Sequence, residues 1–372
     1  MDISTRLPPF DLSTVHTQIT ILSSGSEYMA YVITDDKAFP IPIRLKPHDV
    51  KSLNVLLQDA VQEVARCFGR ESSYGTALDN LARTGNYAFR AIFSDPSYQR
   101  IIRTVLSEGA VVQIVSKDFF LPWELLYDGP LDQRADIRYY WGMSYIISRL
   151  IIQDKREGAF KPHTIEVKRP KVGLITCDRL PFVEEQELPA LEAFHKKRRI
   201  HLLALRPLSI TQRNAELAEF GRFLSQEIHI LHFACHAYEQ NPIEKSYLFV
   251  KQSFPISIID FVTSACALEY SPFVILNACL TGVINPLYTS SWAEKLWEYG
   301  ARGVLATDFR VPDKFAADFS KAFYHYVLSG MSVGEALLTI RRDFWNEQRN
   351  PLGLAYALYS SPSIKIVSRR RG

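Results

Sequence analysis

The sequence predicts an α/β protein with a mainly parallel central sheet, preceded by a smaller α+β region. Three observations carry that expectation. From Lys171 onward, short apolar runs alternate with stretches of helical periodicity, the pattern of strand–helix–strand crossovers. Two of these runs, 228–237 and 272–282, stay apolar until they stop at polar, reactive residues, as central strands do at the carboxyl edge of an open parallel sheet. Before about residue 165, strands and helices mix without that alternation.

In the first region, 18–22 and 28–34 flank the turn signal Ser23-Ser24-Gly25-Ser26 and read as a hairpin. Residues 50–68 place Leu53, Leu56, Leu57, Val61 and Val64 at helical spacing. A second helix is expected over 98–106 and a strand over 110–115, followed by Leu121-Pro122-Trp123-Glu124-Leu125-Leu126-Tyr127-Asp128-Gly129. The charged stretch 154–170, with Pro162 and Pro170, is the expected linker, dividing the chain into 1–165 and 166–372. In the second region strands are expected at 172–177, 200–205, 228–235, 247–250, 273–277 and 303–307. Helices are expected at 185–196, 214–226, 257–266, 291–299, 314–328 and 333–347.

Composition bounds the function. The chain has 372 residues, enough for two domains, with 47% hydrophobic and 22% charged residues, as in an ordinary soluble globular protein. A net charge of +3 gives no argument for nucleic acid, and the Arg369–Arg371 cluster reads as a solvated tail. The first residues do not form a signal peptide, and no apolar run approaches roughly 18 residues, so no membrane association is expected. Five cysteines at irregular spacing fit a reducing compartment. The expectation is a cytoplasmic protein.

The chemistry sits at the two strand ends, where His236 and Cys279 are exposed at the carboxyl edge by separate strands. A thiol and an imidazole there supply thiolate attack and proton transfer. His232, Cys235 and His236 are close in sequence, but a strand rises ~3.3 Å per residue, which puts His232 and His236 on the order of 13 Å apart, with Cys235 on the opposite face. One zinc ion cannot be held by all three. His229 and His232 are therefore read as buried, hydrogen-bonded or packing residues, and Cys67, Cys177, Cys235 and Cys266 as inert small hydrophobes. No metal or nucleotide motif is present, and no cofactor is expected.

These residues carry a resemblance. His232-Phe233-Ala234-Cys235-His236-Ala237, Leu276-Asn277-Ala278-Cys279-Leu280-Thr281-Gly282 and Gly300-Ala301-Arg302-Gly303-Val304-Leu305-Ala306-Thr307 follow one another at family spacing. With Val311-Pro312-Asp313, Ser332-Val333-Gly334-Glu335-Ala336-Leu337 and the upstream Trp123-Glu124 motif, the chain resembles the CHAT family of caspase-like cysteine proteases, relatives of caspases, separases and gingipains. The resemblance covers roughly residues 90 to 367. It implies a caspase-like α/β sandwich and a Cys279–His236 dyad that hydrolyses peptide bonds, with the oxyanion held by the backbone N–H groups of Ala237 and Cys279. The family commonly has glycine where this chain has Ala237.

For specificity, Arg310 would favour an acidic P1 side chain by bidentate pairing. Alternatively, Asp178 or Asp308 would favour a basic one. Trp123 and Glu124 are read as packing residues. The implied partners are a protein substrate and an activating protein, in a regulated bacterial effector role in stress, cell death or phage defence. The segments 237–246 and 282–290 are candidate movable walls. The rival reading is a catalytically silent interaction module on the same scaffold.

Overall fold

The structure, a computed structural model, describes residues 15–25, 27–151, 163–177, 180–250, 254–264, 267–280 and 286–368, with the backbone alone for Ser24, Glu71, 278–280 and 286–290. The first half of the expected linker, Asp178, Cys266, the loop from Thr281 and the Arg369–Arg371 tail lie outside the described residues. The chain divides into two compact units. One comprises residues 1–162, 337–357 and 361–363; the other comprises 163–336, 358–360 and 364–372.

In the first unit, β1 (Thr17–Ser24) and β2 (Glu27–Ile33) form the expected hairpin, paired from Gln18↔Ile33 to Ser24↔Glu27. Gly25 turns the chain at φ +68°, a region that glycine enters without steric cost. β3 (Ala38–Ile43) adds antiparallel to β2, and its two prolines, Pro40 and Pro42, suit the sheet edge it occupies. Helix α1 (Pro47–Cys67) buries Val50, Leu53, Leu57, Val61 and Val64, each contributing about 1.5–3 kcal/mol over an exposed position. Leu56, expected on that face, is instead 47% exposed. After α2 (Glu71–Ile92) and α3 (Pro96–Val105), β4 (Val111–Ser116) lies parallel to β1. A single turn, α4 (Trp141–Ser144), then leads into β5 (Ile146–Ile151), parallel to β4. The sheet order is β3-β2-β1-β4-β5.

Helix α2 was not among the sequence expectations, and Gly85 gives the reason. Glycine costs a helix about 1 kcal/mol in propensity, yet a Cβ here would stand 2.3 Å from the Leu125 carbonyl oxygen. The helix is pressed against the Trp–Glu segment and is held there by Asn86, whose Nδ2 donates to the carbonyls of Tyr127 (3.1 Å) and Gly129 (3.3 Å). Trp123 is buried among Phe119 and Trp141, with ring centroids 6.1 Å away in each case. Glu124 has no exposed surface. Its Oε2 accepts from Arg149 of β5, and its Oε1 lies 3.6 Å from Nη2 of Arg341. Arg341 also donates to the carbonyls of Gly142 (3.2 Å), Gly353 (3.2 Å) and Tyr356 (2.7 Å). The Trp–Glu motif is thus the packed centre of this unit.

The second unit begins with β6 (Thr164–Val167) and β7 (Lys171–Thr176). A π-helical turn, Val183–Glu187, runs directly into α5 (Leu188–Lys196). Then follow β8 (His201–Ala204), α6 (Arg213–Leu224), β9 (Ile230–Tyr238), β10 (Tyr247–Val250), β11 (Phe254–Ser257) and α7 (Ile258–Thr263). Next come β12 (Phe273–Leu280), α8 (Pro286–Glu298), β13 (Gly303–Thr307) and α9 (Asp313–Leu328), then α10 (Val333–Gln348), which belongs to the first unit from Leu337 onward, β14 (Tyr356–Tyr359), of which 358–359 belong to the second, and β15 (Lys365–Ser368).

The main sheet runs β11-β10-β9-β12-β13-β14, with β7 pairing both β8 and β9. The pairs β7/β8, β7/β9, β9/β12 and β12/β13 are parallel; β10 and β11 add antiparallel. This is the mainly parallel α/β sheet expected from the strand–helix alternation. β9 is central, and its runs Leu231, Phe233 and Cys235 are buried, as are Val274 and Ile275 on β12. The segment 237–246, expected as loop, begins as strand, because Ala237 and Tyr238 continue β9. Among the described residues no helix is long and apolar enough to cross a membrane.

Replacing Glu124 by glutamine removes the buried carboxylate charge that faces the Arg149 and Arg341 guanidinium groups. Loss of one partner from such a network costs about 3–5 kcal/mol. Urea unfolding of Glu124→Gln should show that loss in the transition of the first unit, and an unchanged midpoint would show that the network contributes no stability.

Candidate active site

The geometry of the site follows from how β9 shares its two edges. Along one edge it pairs with β12 throughout, from Phe273↔Ile230 to Leu280↔Ala237. Along the other, β7 accompanies it from Val172↔Ile230 to Thr176↔Ala234, after which β10 takes over from Phe249↔His236. His236 therefore sits where a parallel neighbour hands over to an antiparallel one, at the carboxyl end of the parallel strands. Ligand crevices in open α/β sheets lie outside the carboxyl ends of the parallel strands.

Cys279 is the registered partner of His236 on the adjacent strand. Paired parallel strands lie about 4.8 Å apart, and registered residues share a face of the sheet. The two residues singled out from sequence are thus side by side in the sheet. His236 is half-buried. Ala237 follows it, fully buried, in register with Leu248 on one side and Leu280 on the other. Among the described residues only Arg198, Ser271 and Arg349 are non-glycine residues with positive φ, so Ala237 does not hold a conformation that requires glycine.

The specificity candidates fall differently. Arg310 is exposed, three residues beyond β13. Asp308 is 1% exposed, and its Oδ1 accepts from the Tyr359 hydroxyl at 3.2 Å. Asp178 lies outside the described residues.

Below the paired His236 and Cys279, on the same face by strand alternation, stand His232 of β9 and Asn277 of β12. Both are buried, and they meet at a carboxylate that sequence reasoning missed. Asn277 Nδ2 donates to Glu187 Oε1 at 2.9 Å and to the Ala316 carbonyl at 3.1 Å. His232 Nε2 lies 2.9 Å from the same Oε1, at an angle too oblique for a well-formed hydrogen bond. On its other side, Nδ1 meets the Tyr324 hydroxyl at 2.9 Å, and the two rings stack at 7°. Glu187, at the end of the π-helical turn, is 1% exposed. Burial, together with the nearby Glu187 charge, pushes the Tyr324 phenol well above its ordinary range. His229 is buried as expected; its Nδ1 accepts the Lys171 N–H at 3.0 Å, and burial lowers its pKa. The polar Asn277, directly after the apolar run 272–276, was the available signal for this cluster. Glu187 offered none, being one of three glutamates in Val183-Glu184-Glu185-Gln186-Glu187.

Comparison with known proteins extends this picture. The described sheet and helices match the yeast (Saccharomyces cerevisiae) separase chain in its crystal structure with securin, with a TM-score of 0.52 and 12% identity over 95% of this chain and 31% of that one. A second crystal structure of the same yeast complex matches with a TM-score of 0.48, 11% identity and coverage of 95% and 30%. The Drosophila initiator caspase Dronc gives 0.33 and 7% identity, over 54% of this chain and 82% of that one. The chain thus spans less than a third of the separase chains it matches, and at these identities the likeness is one of fold. No curated protein sequence matches it. The model of the CHAT domain matches residues 111–364, and the chain belongs to that family.

The remaining described thiols differ sharply in environment. Cys177 and Cys235 are buried, and burial above all pushes the Cys235 thiol well above its ordinary range, whereas Cys67 is partly exposed. Because only the thiolate reacts, iodoacetamide should modify Cys67 in the folded protein and leave Cys177 and Cys235 intact until denaturant is added. Peptide mass mapping reads this directly; native labelling of Cys235 at the Cys67 rate would contradict it.

Proposed function

We propose that this CHAT-family protein is a cysteine endopeptidase acting on a protein substrate through Cys279 and His236. The observation that carries this reading is the register Cys279↔His236 at the carboxyl edge of the central strands. In the proposed reaction the Cys279 sulfur attacks the scissile carbonyl carbon as its proton passes to the His236 ring. The tetrahedral oxyanion is held by the N–H groups of Cys279 and Ala237. Collapse breaks the C–N bond, and the imidazolium gives its proton to the leaving amine. Water, deprotonated by the same ring, then hydrolyses the thioester and returns the thiol.

Two structural facts refine the reading. Arg310, exposed near the end of β13, is available to an acidic P1 carboxylate, which supports the first of the two specificity schemes. Asp308, buried against Tyr359, is poorly disposed to select a basic side chain, so the second scheme rests on Asp178. Ala237 holds an ordinary strand conformation, continuous with β9, which supports the enzyme over the silent interaction module. A regulating protein partner is supported by the separase structure being that of a complex with securin. The stress, death or defence role is supported by family resemblance alone.

The test is chemical. In the intact protein, Cys279 should react with an iodoacetamide probe about tenfold or more faster than Cys67. His236→Ala should slow that reaction, and Cys279→Ala should abolish cleavage of a peptide library. His236→Ala should lower cleavage by about 10²–10⁴-fold. Arg310→Ala should erase an acidic P1 preference. Slow labelling equal across all five thiols, with no cleavage, would overturn the enzyme reading, and equal cleavage at every P1 residue would overturn both specificity schemes.

A further inference from the structure

The edges of β12 are unequal. β13 pairs with it only from Phe273↔Gly303 to Leu276↔Ala306. Among the described residues β13 is registered with β12 no further than Leu276, whereas β9 stays in register with it from Asn277 to Leu280. β9 is itself no longer accompanied by β7 beyond Ala234. Cys279 therefore stands on a four-residue overhang, and Asn277 is the first residue of that overhang.

Asn277 is also where the overhang is tied down. Its Nδ2 reaches both Glu187 of the π-helical turn and the Ala316 carbonyl of α9, at 2.9 and 3.1 Å. The Glu187 oxygen that accepts from Asn277 is the one facing His232, and His232 lies four residues before His236 on β9. One buried carboxylate thus connects the strand carrying the cysteine to the strand carrying the histidine, with Tyr324 of α9 closing the far side of the His232 ring. The arrangement is poor as a stabilising device. Glu187 Oε2 has no hydrogen-bond partner, and a buried carboxylate contributes little net stability once desolvation is counted. Its geometry suits a different task, because two residues that must exchange a proton tolerate little relative displacement.

We infer that Glu187 and Asn277 are positioning residues, which hold the β12 overhang against β9 so that Cys279 stays beside His236; this rests on the peptidase reading. His232 and Tyr324 complete the tie from the β9 and α9 sides. None of the four touches the substrate.

The inference is tested on the full chain by following iodoacetamide alkylation of Cys279, assigned by mass spectrometry, from about pH 6 to about pH 9. Asn277→Ala removes the ties to Glu187 and to the Ala316 carbonyl and keeps the Glu187–His232 contact. Glu187→Gln keeps the volume and an acceptor for Asn277 but removes the negative charge beside His232. Ile275→Val, on the same strand and face and in register with His232, loosens packing without removing a polar tie. Thermal unfolding of each variant checks that it is folded.

The expected result is that Asn277→Ala and Glu187→Gln, still folded, slow Cys279 alkylation at about pH 7 by about tenfold or more. Their apparent thiol pKa should move up toward the ordinary value of about 8.5. Ile275→Val should keep the wild-type profile at a comparable fall in melting temperature. If wild-type Cys279 shows a low pKa that His236→Ala abolishes, yet Asn277→Ala and Glu187→Gln leave it in place, the positioning role is overturned and the dyad stands. It is likewise overturned if Ile275→Val shifts the profile equally. If wild-type Cys279 behaves as an ordinary thiol and His236→Ala changes nothing, the peptidase reading fails and the positioning role with it.

Discussion

The carboxylate of Glu187, enclosed where the π-helical turn meets β9, β12 and α9, is the constraint on which the second unit turns. Its surroundings supply Asn277 to Oε1 and leave the His232 ring alongside, so three separate parts of the chain are fixed relative to one another by a single group. A π-helical turn adds a residue to a helical repeat and commonly marks a functional position. Here it brings Glu187 inward just before α5 begins. Without that extra residue the carboxylate would rotate away from the sheet by about 100°, the angle between successive helical residues.

The first unit uses the same device for a different end. Glu124 is also wholly buried, but it meets two guanidinium groups, and Arg341 donates in addition to three carbonyls. Of the two Glu124 oxygens, Oε2 accepts from Arg149, whereas Oε1 makes no hydrogen bond among the described residues. The Glu187 cluster likewise leaves one carboxylate oxygen without a hydrogen bond among the described residues, and it lies below His236 and Cys279 in the strand order. The two carboxylates differ in their company: Glu124 faces two guanidinium groups, Glu187 a carboxamide and an imidazole.

Much of this was legible in the sequence, because the parallel sheet writes itself as uninterrupted apolar runs. Strands buried on both faces need no alternation, and the residues that end them, His236 and Cys279, stand out by contrast. What could not be read was anything that depends on which of several similar residues turns inward. Glu184, Glu185 and Glu187 are indistinguishable by periodicity, since the π-helical turn breaks the 3.6-residue repeat at that point. Helix α2 was hidden for the opposite reason: Gly75, Gly85 and several polar residues lower its propensity, and only contact with the Trp–Glu segment explains Gly85. β3 was masked by Pro40 and Pro42, which are tolerated because that strand has an open edge. The register that sets Cys279 against His236 is a long-range property of two strands and has no local signature.

The discontinuity of the first unit has a consequence for how the polypeptide matures. Its core includes Leu337–Ala357, which leave the ribosome about 175 residues after Pro162. At roughly 5–20 residues per second that is a delay of roughly 10 to 35 seconds. Throughout that interval Glu124 and Arg149 have been synthesised but Arg341 has not. The amino-terminal half must therefore wait, incompletely closed, while the whole parallel sheet is translated, and a fragment ending at the linker would never receive its last cation.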